Sequence, residues 1–426
     1  MNLEISKNFY NILKIPKDWN KTRLKYILSI SENKSSNFND QKILSLTKKG
    51  IVVRDIANNE GQIAESYEKY ILVQKGQICM NPMDLLSGWV DISSFEGVIS
   101  PAYYTFVLNE GFENKFINYF LQSNYLRKTF FKLGKGVASH DNFGRWVLIP
   151  EQLKNIVIFF PNIKKQKLIS LYLDKKTNQI NLLIEKIQKK IELLKEHLAS
   201  LINHCITKGL NPNVEMKDSG LEQIGEIPRH WEFIKGKYIL QILSSSVTGD
   251  EIEENGVPLI KVDDLNKVND SYYLTKSKVM VESSDFLKPL PLDILIFPKR
   301  GMSIFTNKIV ISKIKGLLDS NLMGLKVIDK INTKFIFHVI KSRGLGDICD
   351  QSSVPQINNK HIYPLKFQIP PKEEQNRIVN FIDQKNQNYE KMIAKENKRI
   401  ETLREYLVSL ISSTVTGNVQ VTEDMA

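Results

Sequence analysis

The chain has 426 residues, 42% of them apolar, with a formal net charge of +12 and a pI near 9.2. That length predicts two or three domains with cores of their own, and a basic balance of this size favours a polyanionic partner. Cys79, Cys205 and Cys349 lack CxxC spacing and support neither a zinc site nor a disulfide framework, and no apolar run reaches the ~18 residues that would span a bilayer, so a soluble cytoplasmic protein is expected.

Residues 1–14 read as a short leader that mixes charge and apolar positions, unlike a signal peptide. Residues 15–160 are strand-rich. Lys42–Leu46, Ile51–Arg54, Tyr70–Val73, Gln77–Met80 and Tyr103–Leu108 are short apolar or alternating runs with Gly and Asn between them. Phe112–Phe131 predicts a helix, Gly134-Lys-Gly136 breaks the chain, and Val147–Ile149 and Ile156–Phe160 return to strand character.

Residues 161–209 predict one long helix. Its centre, Lys165–Ile206, holds no Gly or Pro. Leu173, Ile180, Ile187, Leu194 and Leu201 recur every seven residues, and Ile184, Ile191, Leu198 and Cys205 form a second track offset by four. This is the a/d seam of a coiled coil. A helix of that span is about 63 Å long, too long for one compact domain, and its apolar stripe needs a partner.

Residues 210–226 form a polar connector with Pro and Gly. Residues 227–369 repeat the first globular pattern. Leu259–Val262, Lys278–Val281, Asp293–Phe297, Lys308–Ile311, Leu325–Ile328 and Leu365–Ile369 predict strands, and Phe335–Lys341 a helix. Residues 370–416 repeat the long helix, with Ile393, Ile400 and Leu407 on one track and Ile382, Tyr389, Leu403 and Leu410 on the other, interrupted by Glu396. Residues 417–426 read as a loose tail.

The repeat is explicit in the residues. Ile15-Pro-Lys-Asp-Trp19 and Lys25-Tyr-Ile-Leu28 return as Ile227-Pro-Arg-His-Trp231 and Lys237-Tyr-Ile-Leu240, each 212 positions later. Gln166, Ile169 and Asp174 return as Gln375, Ile378 and Asp383, each 209 later. The expected architecture is α+β: two similar α+β domains separated by two long antiparallel coiled-coil helices, a pseudo-two-fold tandem repeat.

No phosphate-cradling glycine loop is present for ATP or a dinucleotide, and no Asn/Asp-Pro-Pro-aromatic element of an aminomethyltransferase. Asn81-Pro-Met-Asp84 is the nearest approach and reads as a turn. Asp293 and Lys299 lack the acidic-x-Lys element of a nuclease, and His197 and His204, seven apart, are too widely spaced for one metal. No catalytic and no metal residues are assigned. The positive signals concern binding. Lys48, Lys49 and Arg54 flank Gly50, Lys132, Lys135 and Arg145 surround Gly134 and Gly136, and Lys299 and Arg300 precede Gly301. Basic residues beside glycine can approach phosphates closely, and Arg or Lys can read guanine edges. For pairing and assembly the seam offers Ile180, Ile184, Ile187, Ile191, Leu194, Leu198, Leu201, Ile393, Ile400, Leu403, Leu407 and Leu410.

Lys217-Asp-Ser-Gly-Leu-Glu-Gln-Ile-Gly-Glu-Ile-Pro-Arg-His-Trp231 closely resembles the segment that opens the second target-recognition domain in specificity subunits of type I restriction–modification enzymes. Pro370-Pro-Lys-Glu-Glu-Gln375 with Arg377-Ile378 and Phe381-Ile382 is similar to the family's lead-in to its conserved helix, and Gly97-Val-Ile-Ser-Pro-Ala-Tyr103 to one of its strands. The first copy departs from the pattern at Pro161–Gln166, which lacks the Glu pair, and at Ser139–Asn142.

The resemblance implies a non-catalytic reader of double-stranded DNA. Each recognition domain would bind one half of a split, asymmetric target. The helices would act as spacer and dock two modification subunits, adenine methyltransferases using S-adenosylmethionine. Motor–nuclease restriction subunits using ATP and Mg2+ would complete the complex. Two other readings compete: a self-contained methyltransferase fused to its recognition domains, and a coiled-coil scaffold without DNA binding. The first lacks a cofactor loop, and the second leaves two basic α+β units unexplained.

Overall fold

The structure, a computed structural model, describes residues 15–31, 33–34, 41–47, 50–54, 67, 69–83, 90–133, 135–137, 145–222, 224–244, 256–268, 272–282, 288–350 and 352–426. The leader, residues 1–14, lies outside them. Two compact units emerge, Met1–Ile187 with Lys398–Ala426, and Gln188–Asn397. Both long helices therefore contribute a segment to each unit.

In the first unit, strands Leu28–Ile30, Tyr104–Leu108, Ile78–Met80 and Val90–Ile92 form an antiparallel sheet in that order. Two ribbons, Leu44–Thr47 with Gly50–Val53 and Ile71–Val73 with Gly97–Ile99, bury Leu44, Leu46, Ile51, Val73 and Ile99 around Cys79. Burial pushes the Cys79 thiol up to about 12, so it packs as an inert apolar group. The helix expected over Phe112–Phe131 is two. Helix α1 (Asn114–Gln122) stops at Ser123, whose backbone is extended and whose hydroxyl donates to Phe120 O, and a second helix follows over Asn124–Leu133. The strand expected over Val147–Ile149 is shifted to Arg145–Val147, because Pro150 opens a short helix with Ile149 as its cap.

From Pro161 the chain enters helix α2 (Ile163–Lys208). It reaches the second unit, where the connector folds into a hairpin of Met216–Asp218 with Glu226–Pro228. The main sheet here has five strands in the order Leu240–Leu243, Leu322–Val327, Leu295–Pro298, Val310–Ser312 and Tyr273–Leu274. Its last pair is parallel. A second sheet joins Val279–Val281, Val257–Ile260 and Leu317–Leu318. The run expected as a strand through Val262 ends at Ile260, because Asp264 accepts from Lys261 N and starts a helical turn. Helix α3 (Thr333–Arg343) packs Phe335 against the buried Trp231, and helix α4 (Lys372–Val415) follows Pro370-Pro371.

The repeat holds at the level of register. In the first unit Asn20–Arg23 pairs antiparallel with Val157–Phe160, placing Asn20 opposite Phe160. In the second, Glu232–Lys235 pairs with Lys366–Ile369, placing Glu232 opposite Ile369. Each unit thus joins the strand that follows its Ile-Pro-x-x-Trp segment to its last strand, just before the long helix. The glutamine that starts each helix then ties it down. Gln166 donates to Pro161 O at 2.9 Å and accepts from Glu113 N at 2.9 Å. Gln375 donates to Pro370 O at 2.8 Å and accepts from Asn332 N at 2.7 Å. Glu113 and Asn332 cap α1 and α3, so one buried amide satisfies groups on both sides of each junction.

The tail is not loose. Val421 is fully buried, Lys165 Nζ donates to Val421 O, and Glu423–Met425 is a turn of 3-10 helix. Gly417, at a φ of 81°, lies against Pro16 and Trp19. A side chain there would clash with the proline ring, so the C-terminus of α4 is built into the first unit. Gly209, at a φ of 76°, ends α2 beside Trp231 and Pro228 in the second unit.

Candidate nucleic-acid interface

In the second unit the central sheet runs directly to its candidate residues. Leu295–Pro298 is buried at every position and delivers Lys299, half-buried, and Arg300, exposed. Three backbone bonds fix this exit: Lys299 N to Asn321 O at 2.8 Å, Ile357 N to Lys299 O at 2.9 Å and Gly301 N to Pro355 O at 2.9 Å. Gly301 has φ 74°, a region that a side chain would strain, and turns the chain into the 3-10 helix Met302–Thr306. Burial, with Arg300 alongside, holds the Lys299 ammonium below its ordinary range, against the pull of Asp319. An anion at this ledge would offset the repulsion from Arg300 and favour the charged ammonium.

Sequence alone does not reveal the apolar members of this ledge. Met302 is 74% exposed, Phe305 54% and Val354 55%. Large apolar groups beside Arg and Lys suit a nucleic-acid groove, where bases offer thymine methyls and the backbone offers charge. Gly301-Met-Ser-Ile-Phe305 looks like ordinary core sequence, since Ile304 between them is fully buried.

In the first unit the candidates fall on separate elements. Arg54 follows Gly50–Val53 and donates its backbone N to Ile43 O at 2.8 Å. Lys132 is exposed in the last turn of the helix ending at Leu133. Lys135 and Arg145 are brought into one ribbon, Lys135 opposite Val147 and Arg145 opposite Val137. Lys48 and Lys49 lie outside the described residues.

The seam residues divide by burial. Ile180, Ile184, Ile187, Ile191, Ile400 and Leu410 are buried, whereas Leu194, Leu198, Leu201, Ile393, Leu403 and Leu407 are half-buried. Within the second unit two cross-helix pairs fix the direction. Lys190 Nζ meets Glu396 Oε1 at 2.6 Å, and His197 bonds and stacks on Tyr389. Seven residues forward on α2 match seven backward on α4, an antiparallel register. Glu396, the sequence interruption, is buried and ion-paired. Among the described residues no group of three or more His, Cys, Asp or Glu side chains could hold a metal ion. No helix among them is long and apolar enough to cross a membrane.

Residues 228–403 match the family model described as the type I restriction modification DNA specificity domain. The type I restriction enzyme MjaVIII specificity subunit of Methanocaldococcus jannaschii is 24% identical over 83% of this chain and 83% of its own. The putative MjaX specificity subunit of the same organism is 25% identical over 96% of this chain and 95% of its own. Residues 228–403 thus match the type I DNA specificity domain, and over most of its length the chain is similar to type I specificity subunits. Their fold is shared by solved structures. One, from work on complex assembly and conformational transition of the type I R-M system, superposes with a TM-score of 0.69 at 11% identity, over 95% of this chain and 100% of that one. The HsdS subunit of Thermoanaerobacter tengcongensis gives 0.52 at 11% identity, over 95% of this chain and 98% of that one. Specificity subunits are non-catalytic DNA target readers, with catalysis in other subunits.

Proposed function

We propose that this chain is a specificity subunit that reads a bipartite, asymmetric double-stranded DNA target, one half with each unit, and that its helices dock two modification subunits and the restriction subunits. S-adenosylmethionine, ATP and Mg2+ then act in those partners, in the cytoplasm. One observation carries the reading: the two units repeat the same closing register at Asn20–Phe160 and Glu232–Ile369 but carry different sheets. A common frame with unlike faces suits two unlike half-sites. The ledge at Lys299, Arg300, Met302 and Phe305 is the face we assign to the second half-site.

The test is a map of adenine methylation in cells with the gene, without it, and with Arg300→Ala. A split motif that depends on the gene, and that loses discrimination in one half alone with Arg300→Ala, is the expected result. A contiguous motif would sink the two-half reading, and relaxation of both halves would sink the assignment of the ledge. For docking, Ile187→Asp with Leu194→Asp places charge in the seam, at a cost of several kcal/mol for each buried unpaired charge. Unchanged co-purification of a modification subunit at unchanged thermal stability would reject the helices as the docking site.

A further inference from the structure

The repeat exposes one place where the second unit is chemically open and the first is closed. In the first unit Asp174 accepts from Lys115 Nζ at 2.6 Å and from Tyr119 Oη at 2.8 Å, so α1 and α2 share a satisfied cluster. In the second unit Lys334 meets Asp383 at 2.6 Å in the same way, but His338 stands where Tyr119 would be. His338 is 2% exposed. Among the described residues its Nε2, the second oxygen of Asp383 and the hydroxyl of Tyr272 have no hydrogen-bond partner.

His338 and Tyr272 border a pocket of about 210 Å³ that opens beside α3. Tyr272, His338, Lys308 and Lys341 line it, with Asn386 from α4. Ile202, Val310 and Phe337 supply apolar wall. Lys308 donates to Val268 O at 3.2 Å and Lys341 to Asn307 O, so both ammonium groups bond neutral backbone oxygens. Burial and the neighbouring Lys308 hold Lys341 below its ordinary range. Burial first, then Asp383 and Glu390 on α4, push the Tyr272 hydroxyl up from its ordinary range, so it stays a donor, and Asp383 is itself paired with Lys334. Two like charges with a hydroxyl donor and a buried imidazole make an arrangement that is costly without an anion.

We infer that this pocket is a binding site for a small organic anion, a carboxylate or phosphate on an apolar body. The acid group lies against Lys308 and Lys341, the Tyr272 hydroxyl donates to it, and the body packs on Phe337 and Ile202. The site is independent of the DNA reading, since nothing in it uses the Arg300 ledge.

The experiment is calorimetric titration and thermal melting of the full chain with phenyl phosphate, benzoate and inorganic phosphate. A Kd below about 1 mM is expected for one of the aromatic anions, with a rise in Tm that follows ligand concentration. Inorganic phosphate should bind more weakly, and preference between the other two identifies the acid group. Lys308→Met should leave the unliganded Tm unchanged or raised, by removing like-charge repulsion, and weaken binding about tenfold. Tyr272→Phe should weaken it less. Should Lys308→Met fail to fold, Tyr272→Phe alone decides. No heat and no Tm shift at 10 mM of all three probes (about ten times the expected Kd) would overturn the site. Binding that survives unchanged in the folded variants would place it elsewhere and equally overturn it.

Discussion

The two units share a frame and differ in what it carries. Each pairs the strand after its Ile-Pro-x-x-Trp segment with its last strand in equivalent register, sets a Trp edge-on to a Phe at 6.3 Å, and pins a long helix through a buried glutamine. Among the described residues the sheets between are unlike: a four-stranded antiparallel sheet with two ribbons in the first unit, a five-stranded sheet with one parallel pair plus a three-stranded sheet in the second. The lesson is that the repeat is kept where the chain must close on itself and feed a helix. It is abandoned in the sheets between those closing elements. A closing strand pair has few satisfactory geometries, since every buried N–H and C=O needs a partner, whereas an outward face has no such constraint.

The largest test of that comparison removes the tryptophans. Trp231 is fully buried and Trp19 half-buried, so Trp231→Ala should cost the second unit about 3–5 kcal/mol and Trp19→Ala the first about half of that. Native-state hydrogen exchange reads each unit separately. Equal losses would mean that the two frames are equally packed.

Next in size are the glutamines. Gln166→Leu and Gln375→Leu each strand a buried amide N–H and a proline carbonyl, and about 2–3 kcal/mol should be lost in each unit. Loss in only one unit would break the equivalence at its centre.

A smaller effect separates the units by pH. Burial, with Lys334 nearby, pushes His338 down to about 3 from its ordinary 6.5. The unfolded chain therefore binds a proton that the folded unit refuses. The contribution of the neutral His338 to the second unit's stability is fully present above pH 6.5 and is lost progressively between there and about pH 3. His338→Tyr copies Tyr119, so it should abolish this slope and gain about 1 kcal/mol if the new hydroxyl reaches Asp383. A slope unchanged in the variant would assign the acid sensitivity to other groups.

The smallest change concerns the seam. Lys190 is half-exposed in its pair with the buried Glu396, so Lys190→Met should cost the second unit about 1 kcal/mol, measured by the same exchange experiment at two salt concentrations. No loss at low salt would mean that Glu396 is held by its other contacts.

Sequence by itself determined the frame. Heptad spacing from Leu173 to Cys205 required a long helix with one apolar face, because 3.5-residue periodicity has no other use for such a stripe. The Ile-Pro-x-x-Trp and Gln-x-x-Ile repeats required two copies of one unit. Local pattern could not decide which polar interruption is a defect and which a contact. Glu396 broke a track in sequence, and only its approach to Lys190, more than 200 residues away, made it a partner. The tail was polar enough to read as loose, yet Val421 is buried because it returns to α2, a contact between distant segments that no window contains. Likewise Met302 and Phe305 matched the pattern of Ile304 beside them. Exposure is a property of what the rest of the chain covers, so the ledge and the pocket beside His338 were decided by tertiary packing alone.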